Sequence, residues 1–164
     1  SGAIHDTSEV TVASGSTLYL TDVGEIEGGT LSLENGSILS LEIGATTASR
    51  IALSGSASLA GNINLSLALT GVPADNMSFT LIDGGELLIG FPGGARFVYD
   101  GLVLDEGTTF NITTAGFSKD FTISYAAGGG SDVVVKAVPE PATATMLLAM
   151  SGMALGLRRF RRRA

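Results

Sequence analysis

The chain has 164 residues, of which 15% are charged, and a formal net charge of −7. It contains no cysteine, which excludes disulfides, thiolate metal sites and a cysteine nucleophile. Residues 1–138 carry fifteen acidic and four basic side chains, a net of −11, so the body has too few cations to displace phosphate counterions and nucleic acid is not an expected partner. An acidic body of this kind suits a soluble exterior domain, and the length suits one modest domain plus a tail.

Residues 1–70 read as β-strand repeats. His5 is the single histidine, in polar text near the start. With no second histidine and no cysteine, zinc is not expected, and His5 reads as a solvated residue. The repeats then follow: Gly15-Ser-Thr-Leu-Tyr-Leu20, Gly29-Thr-Leu-Ser-Leu33, Gly36-Ser-Ile-Leu-Ser-Leu41, Ile51-Ala-Leu53 and Ile63-Asn-Leu-Ser-Leu-Ala-Leu69. Each is a turn residue followed by apolar residues alternating with small polar ones. Period two means a short strand with one buried face. Strands this short bury a core only by stacking, which predicts an all-β body built as a short parallel β-solenoid. An antiparallel sandwich fits the same spacing. These Gly-Ser-x-Leu-x-Leu units resemble the passenger-associated strand repeats of bacterial autotransporters.

Residues 71–137 read as a C-terminal β cap or small sandwich. The text shifts near Val72-Pro73-Ala74-Asp75, and eight of the ten aromatic residues lie between Phe79 and Tyr125. Strands are predicted at 77–82, 86–91, 96–99, 102–104, 109–113, 120–125 and 132–137. Asp100-Gly101, between Phe97-Val-Tyr99 and Leu102-Val-Leu104, is a two-residue hairpin signal. Larger side chains here would seal a terminal edge that otherwise invites aggregation. The order of a Phe-Thr-Leu-Ile strand, a Gly-Phe turn and a final Asp-Val-Val-Val strand resembles the ends of passenger repeats.

No catalytic or metal-binding constellation emerges from this half. Ala127-Gly-Gly-Gly-Ser-Asp132 differs by one residue from a calcium-binding nonapeptide, Ala127 replacing the first glycine. Such sites need a neighbouring rung to complete the oxygen shell. A single copy reads instead as a glycine turn, with Asp132 the residue to test. Asp105 and Glu106 are adjacent, and neighbours on a strand point to opposite faces. They would not converge on one glycosidic bond, so they read as a turn. Glu25, Glu27, Glu34 and Glu42 are scattered through the repeats, and no pair among them stands out by spacing. Asn-x-Ser/Thr triplets at Asn35, Asn64, Asn76 and Asn111 read as composition. No phosphate loop or dinucleotide fingerprint is present, and no cofactor is expected.

Residues 138–164 have a different design. Pro139, Glu140 and Pro141 come first. Two prolines around one residue fix the backbone and remove two donors, so the tripeptide is extended and cannot join a sheet or helix interior. An uncharged run from Ala142 to Leu157 follows, with Leu147, Leu148, Gly152 and Gly156 inside it. As a helix it is roughly 24 Å long, short against a hydrocarbon core of about 30 Å, and snorkelling or local thinning can make up the difference. Gly152 and Gly156 form a Gly-x-x-x-Gly pair, a spacing that lets membrane helices approach, although small residues are common in such spans. Arg158, Arg159, Arg161, Arg162 and Arg163 close the chain and hold that end on the cytoplasmic side.

This tail resembles a PEP-CTERM sorting signal: Val-Pro-Glu-Pro, a single transmembrane α-helix, then an arginine cluster. The resemblance implies a substrate of exosortase, a membrane-embedded transpeptidase that cuts near the motif. It implies an exported bacterial protein, held transiently in the inner membrane with its body outside, then passed to the cell surface or extracellular matrix. Exopolysaccharide or another envelope polymer is the implied companion. The chain begins Ser-Gly-Ala, and export requires a signal peptide, so a longer precursor is expected. The expected function is a non-enzymatic surface or matrix structural protein. The alternatives are the C-terminal part of a polysaccharide-binding or polysaccharide-cleaving β-helix protein, or an adhesin.

Overall fold

The computed structural model describes residues 4–21, 25–85, 88–89 and 94–139. The chain is all-β, with no helix among the described residues. The first seven strands are β1 (Ile4–Val12), β2 (Thr17–Tyr19), β3 (Glu25–Leu33), β4 (Ile38–Ile43), β5 (Arg50–Leu53), β6 (Ala57–Leu59) and β7 (Asn62–Leu69). The remaining seven are β8 (Ser78–Gly84), β9 (Leu88–Ile89), β10 (Arg96–Tyr99), β11 (Leu102–Leu104), β12 (Thr109–Thr114), β13 (Phe117–Ala127) and β14 (Asp132–Ala137). They form one nine-stranded and one five-stranded sheet, neither closed on itself.

Every strand pair within β1–β7 is parallel. In the large sheet β1 lies beside β3. The first part of β3 pairs with β5 and its second part with β6, so β5 and β6 form one line bent at Ser54-Gly55-Ser56. That line pairs in turn with β8 and β9. In the small sheet β2, β4, β7 and β10 stack in the same order.

The period-two text explains this stacking. Inward positions of neighbouring strands coincide, giving the aliphatic columns Val12–Leu33–Leu59 and Val10–Leu31–Ala57 in the large sheet. The small sheet has Leu18–Leu39–Leu65, Leu41–Leu67 and Ile43–Leu69. Outward positions repeat small hydroxyls, as in Ser40–Ser66 and Ser32–Ser58. A one-residue slip would turn each aliphatic column to solvent. Each buried leucine contributes roughly 1.5–3 kcal/mol of transfer free energy, so the register is held by the sum of many equal terms.

The corners also repeat. Gly15, Gly36 and Gly61 all have left-handed backbones, with φ of 74°, 79° and 67°. Glycine occupies that region without the steric penalty of a Cβ. Gly15 N–H donates to Gly36 O, and Gly36 N–H to Asn62 O. Asn35 Oδ1 accepts from Asn62 N–H at 2.9 Å. The corner of one turn therefore satisfies the backbone of the next.

Of the strand expected at 86–91, residues 88–89 form β9 and the others lie outside the described residues. Elsewhere sequence and structure agree on most strand positions, with three differences. β1 and β3 run for nine residues each, longer than the repeat units suggest. β6 is a separate strand that the sequence reading omitted. β13 begins at Phe117 rather than near Asp120. The Asp100-Gly101 hairpin is present: both residues have positive φ, 47° and 78°, and Tyr99 pairs with Leu102. A second two-residue turn at Ala115-Gly116 (φ 49° and 90°) joins β12 to β13.

The C-terminal strands change the pairing to antiparallel. β14 lies between β8 and β13, and β12 follows β13 at the outer side. One buried hydrophobic cluster extends from Val12 to Ala137. Phe97, Phe110, Phe121 and Tyr125 fill its C-terminal part. Phe110 sits 5.3 Å from Tyr99 and 6.3 Å from Phe121, between ring centroids.

Candidate functional site

The site of interest is where the body ends and the tail begins. β14 is an interior strand, so its last residue is held from both sides. Ala137 N–H donates to Met77 O at 2.8 Å, and Ala137 O accepts from Asn76 N–H at 2.9 Å. Asn76 reaches that carbonyl with a left-handed backbone, φ 65°. On the other flank, Val138 N–H donates to Asp120 O at 2.8 Å. The next residue is Pro139, which is exposed and has no N–H to extend the ladder. The sheet therefore stops at Val138, and the first residue of the Pro-Glu-Pro motif is also the first one free of it.

Two features frame this exit. β13 runs antiparallel to β14, so its N-terminal residues 117–119 and the Ala115-Gly116 turn project past the end of β14. On the inner face of that projection Lys119 is buried, at 5% exposure, and its ammonium pairs with Asp75 in the segment linking β7 to β8. The outer face carries a polar network. Asn111 Nδ2 donates to Asp120 Oδ1 at 2.7 Å and to Ser118 Oγ at 3.2 Å, and Thr113 Oγ1 donates to Asn111 Oδ1 at 2.7 Å.

A second cluster ties the two sheets together. The Tyr125 phenol is fully buried. It donates to Leu104 O at 2.8 Å and accepts from Phe97 N–H at 3.0 Å. Its ring stacks on Phe97 at 6.1 Å with an 8° interplanar angle. Burial pushes its pKa up to about 12, outweighing the hydrogen bond from Phe97 and the nearby Arg96, both of which lower it. Burial, then Asp100, also raise the Tyr99 phenol. The sequence reading missed the Tyr125 clasp. An aromatic residue on the inward face of a predicted strand carried no sign of which carbonyl its hydroxyl would meet.

Of the acidic residues singled out from the sequence, Glu34, Asp105, Glu106 and Asp132 are engaged in local structure, and the side chains of Glu25 and Glu27 lie outside the described residues. Asp105 Oδ1 accepts from Arg96 Nε at 2.8 Å, while Glu106 Oε2 accepts from Tyr125 N–H at 2.6 Å. They serve different strands and do not share a site. Asp132 Oδ1 accepts from Gly84 N–H at 3.3 Å and Ser131 Oγ at 3.1 Å. It closes the turn formed by Gly128, Gly129 and Gly130, all at positive φ. Glu34 Oε2 accepts from Ser14 N–H. Among the described residues no group of three or more His, Asp or Glu side chains could hold a metal ion. Of the four triplet asparagines, Asn35 Oδ1 accepts from Asn62 N–H, Asn64 Nδ2 reaches Gly36 O at 3.5 Å and Asn111 bonds Asp120 and Ser118, while Asn76 donates its backbone N–H to Ala137 O.

Of the tail residues, Val138 and Pro139 are described. Glu140, Pro141, the expected span with Ala142, Leu147, Leu148, Gly152, Gly156 and Leu157, and the five arginines lie outside the described residues. Among the described residues no helix is long and apolar enough to cross a membrane. The His5 side chain also lies outside them.

An all-β body thus ends at an exposed proline where its last interior strand stops. The family described as PEP-CTERM protein-sorting motif matches residues 137–163. The chain carries that motif, which indicates exosortase-dependent sorting of an exported protein through a membrane-anchored intermediate. No similarity to a curated protein or to a solved structure was detected.

Proposed function

We propose that this chain is a non-enzymatic structural protein of the bacterial surface or extracellular matrix, with a body that is a short parallel β-solenoid closed by an antiparallel cap. The tail holds the body outside the inner membrane until exosortase cuts near Pro139-Glu140-Pro141. The body then joins the envelope or an extracellular polymer such as exopolysaccharide. Pro139, Glu140 and Pro141 serve recognition. The run from Ala142 to Leu157 docks in the membrane, and Arg158, Arg159, Arg161, Arg162 and Arg163 set topology.

One observation carries this reading. The last sheet hydrogen bond falls on Val138, and Pro139 is exposed directly after it. A cut at or beyond the motif leaves β14, and so the whole core, intact. A cut several residues earlier would remove an interior strand. The stacked in-register parallel strands, with like residues in columns and repeated glycine corners, favour the solenoid reading. The engagement of Asp105, Glu106 and Asp132 in structural bonds favours a structural role over a hydrolytic one.

The test is the intact mass of the protein recovered from the surface or medium of its native host. The expected result is loss of the tail from about Pro139 onward, dependent on the host exosortase and abolished by replacing Pro139-Glu140-Pro141. Full-length protein retained in the inner membrane would refute processing.

A further inference from the structure

The β12–β13 hairpin stands at the same end of the body as the exit of the tail, and its length matches that exit. Val138 N–H is bonded to Asp120 O. From Asp120, β13 continues back through Lys119 and Ser118 to Phe117 before turning at Ala115-Gly116. Three residues of strand span about 10 Å at 3.4 Å each. β14 ends pointing in the same direction, because β13 and β14 are antiparallel. From Val138 to Ala142, the first residue of the apolar run, the chain reaches at most about 14 Å fully extended.

The two lengths are nearly equal, so a tail inserted from Ala142 leaves the hairpin tip within a few ångströms of the hydrocarbon edge. The polar headgroup layer on each side is about 5–7 Å deep. A 16-residue run is also shorter than a bilayer core, and that mismatch draws the flanking residues inward rather than away.

The chemistry of the tip fits that position. Residues 111–118, Asn-Ile-Thr-Thr-Ala-Gly-Phe-Ser, carry no charge, although residues 1–138 have a net charge of −11. Phe117 is 36% exposed at the base of the turn, and Val72, in the segment that supplies Asp75 to Lys119, is 47% exposed. Neutral, hydroxyl-rich and aromatic residues tolerate the interface of an anionic leaflet, where acidic ones would be repelled.

We propose that in the membrane-held precursor the tip of the β12–β13 hairpin, centred on Phe117, rests in the outer headgroup layer of the bilayer and holds the body upright over the cleavage motif. The inference rests on the tail spanning the membrane, as set out above. It adds a lipid-facing contact to the one made by the tail.

The absence of cysteine makes the test direct. Full-length protein with Ser118→Cys or Ala126→Cys, both exposed positions on β13, is labelled with an environment-sensitive fluorophore. It is then reconstituted into vesicles of phosphatidylethanolamine and phosphatidylglycerol carrying a headgroup-proximal spin-labelled lipid. Ala126 lies eight residues from Ser118, roughly 27 Å further along the strand.

The expected result is at least twofold quenching at residue 118, little at residue 126, and loss of the quenching at 118 when Phe117→Asp is added. Equal quenching at both positions, or none at either, in protein that resists carbonate extraction would overturn this proposal and leave the membrane-anchored reading standing. Protein that carbonate removes would overturn both. A label at 118 that stays unquenched in vesicles but becomes shielded when exosortase is co-reconstituted would also overturn the lipid contact, in favour of contact with the enzyme.

Discussion

Replacing Tyr125 with phenylalanine removes one oxygen and leaves two buried backbone groups without their partner. In the native protein the phenol donates to Leu104 O and accepts from Phe97 N–H, at a site with no solvent exposure. Phenylalanine keeps the stacking on Phe97 and opens almost no cavity. The loss is therefore that of two hydrogen bonds, with desolvation of their orphaned partners. Each such group costs about 1–3 kcal/mol. Closer approach of β10 and β11 can recover part of this, so the expected destabilisation is about 2–4 kcal/mol. For a body of this size each kcal/mol shifts Tm by roughly 3–5 °C, a fall of roughly 6–20 °C in all.

Urea unfolding of wild type and Tyr125→Phe, followed by near-ultraviolet circular dichroism, would measure the change, with equal m-values showing that compactness is unchanged. The same pair tests pH dependence. The folded pKa of Tyr125 is about 12, against 10.0 for the free phenol. The folded state therefore holds the proton more tightly, so the stabilising contribution is complete below pH 10 and is lost as pH rises through 12. Tyr125→Phe should lack that alkaline limb. A destabilisation below about 0.5 kcal/mol, the low end of a single hydrogen bond, with parallel alkaline profiles, would refute the clasp.

Four further substitutions probe other parts of the fold. Ala115 adopts a left-handed backbone at φ 49°, a region that disfavours a Cβ by about 1–2 kcal/mol, and asparagine tolerates it better. Ala115→Asn should stabilise by about 0.5–1 kcal/mol, visible as a raised urea midpoint. Asp75→Ala would strand the buried Lys119 ammonium and should cost about 1–3 kcal/mol, below a fully enclosed pair because half of the Asp75 side chain meets solvent. Lys119→Met should cost less than Asp75→Ala in the same assay, since the carboxylate it frees is hydrated. Gly55 lies where β5 bends into β6, and a Cβ there would stand 2.6 Å from Gly29 O. Gly55→Ala should destabilise by about 1–3 kcal/mol through overpacking, and hydrogen exchange should show faster opening of the Gly55 N–H to Gly29 O bond.

The sequence alone determined that the body is β, where most strands lie and which faces they bury. Alternation at Leu39, Leu41 and Ile43 or at Ile63, Leu65, Leu67 and Leu69 leaves one inward face per strand, whatever lies beside it. It also determined the Asp100-Gly101 turn, because two left-handed positions in succession suit few residue pairs. The tail was legible for a similar reason: Pro-Glu-Pro, an uncharged run and an arginine block are linear features.

Only the tertiary structure decided the neighbours. Period two says which way a side chain points and nothing about which strand lies alongside. That β14 inserts beside β8, some fifty residues earlier in the chain, depends on long-range packing. So do the buried Lys119 beside Asp75, the Tyr125 hydroxyl between Phe97 and Leu104, and the acceptance of Ala115 in a glycine-like conformation. The same holds for the exit of the tail. Proline at 139 showed that a ladder must stop, while the bonds at Ala137 and Val138 show that it stops there, against an interior strand. A hydrogen-bond partner is fixed by the placement of distant backbone, and no local pattern encodes it.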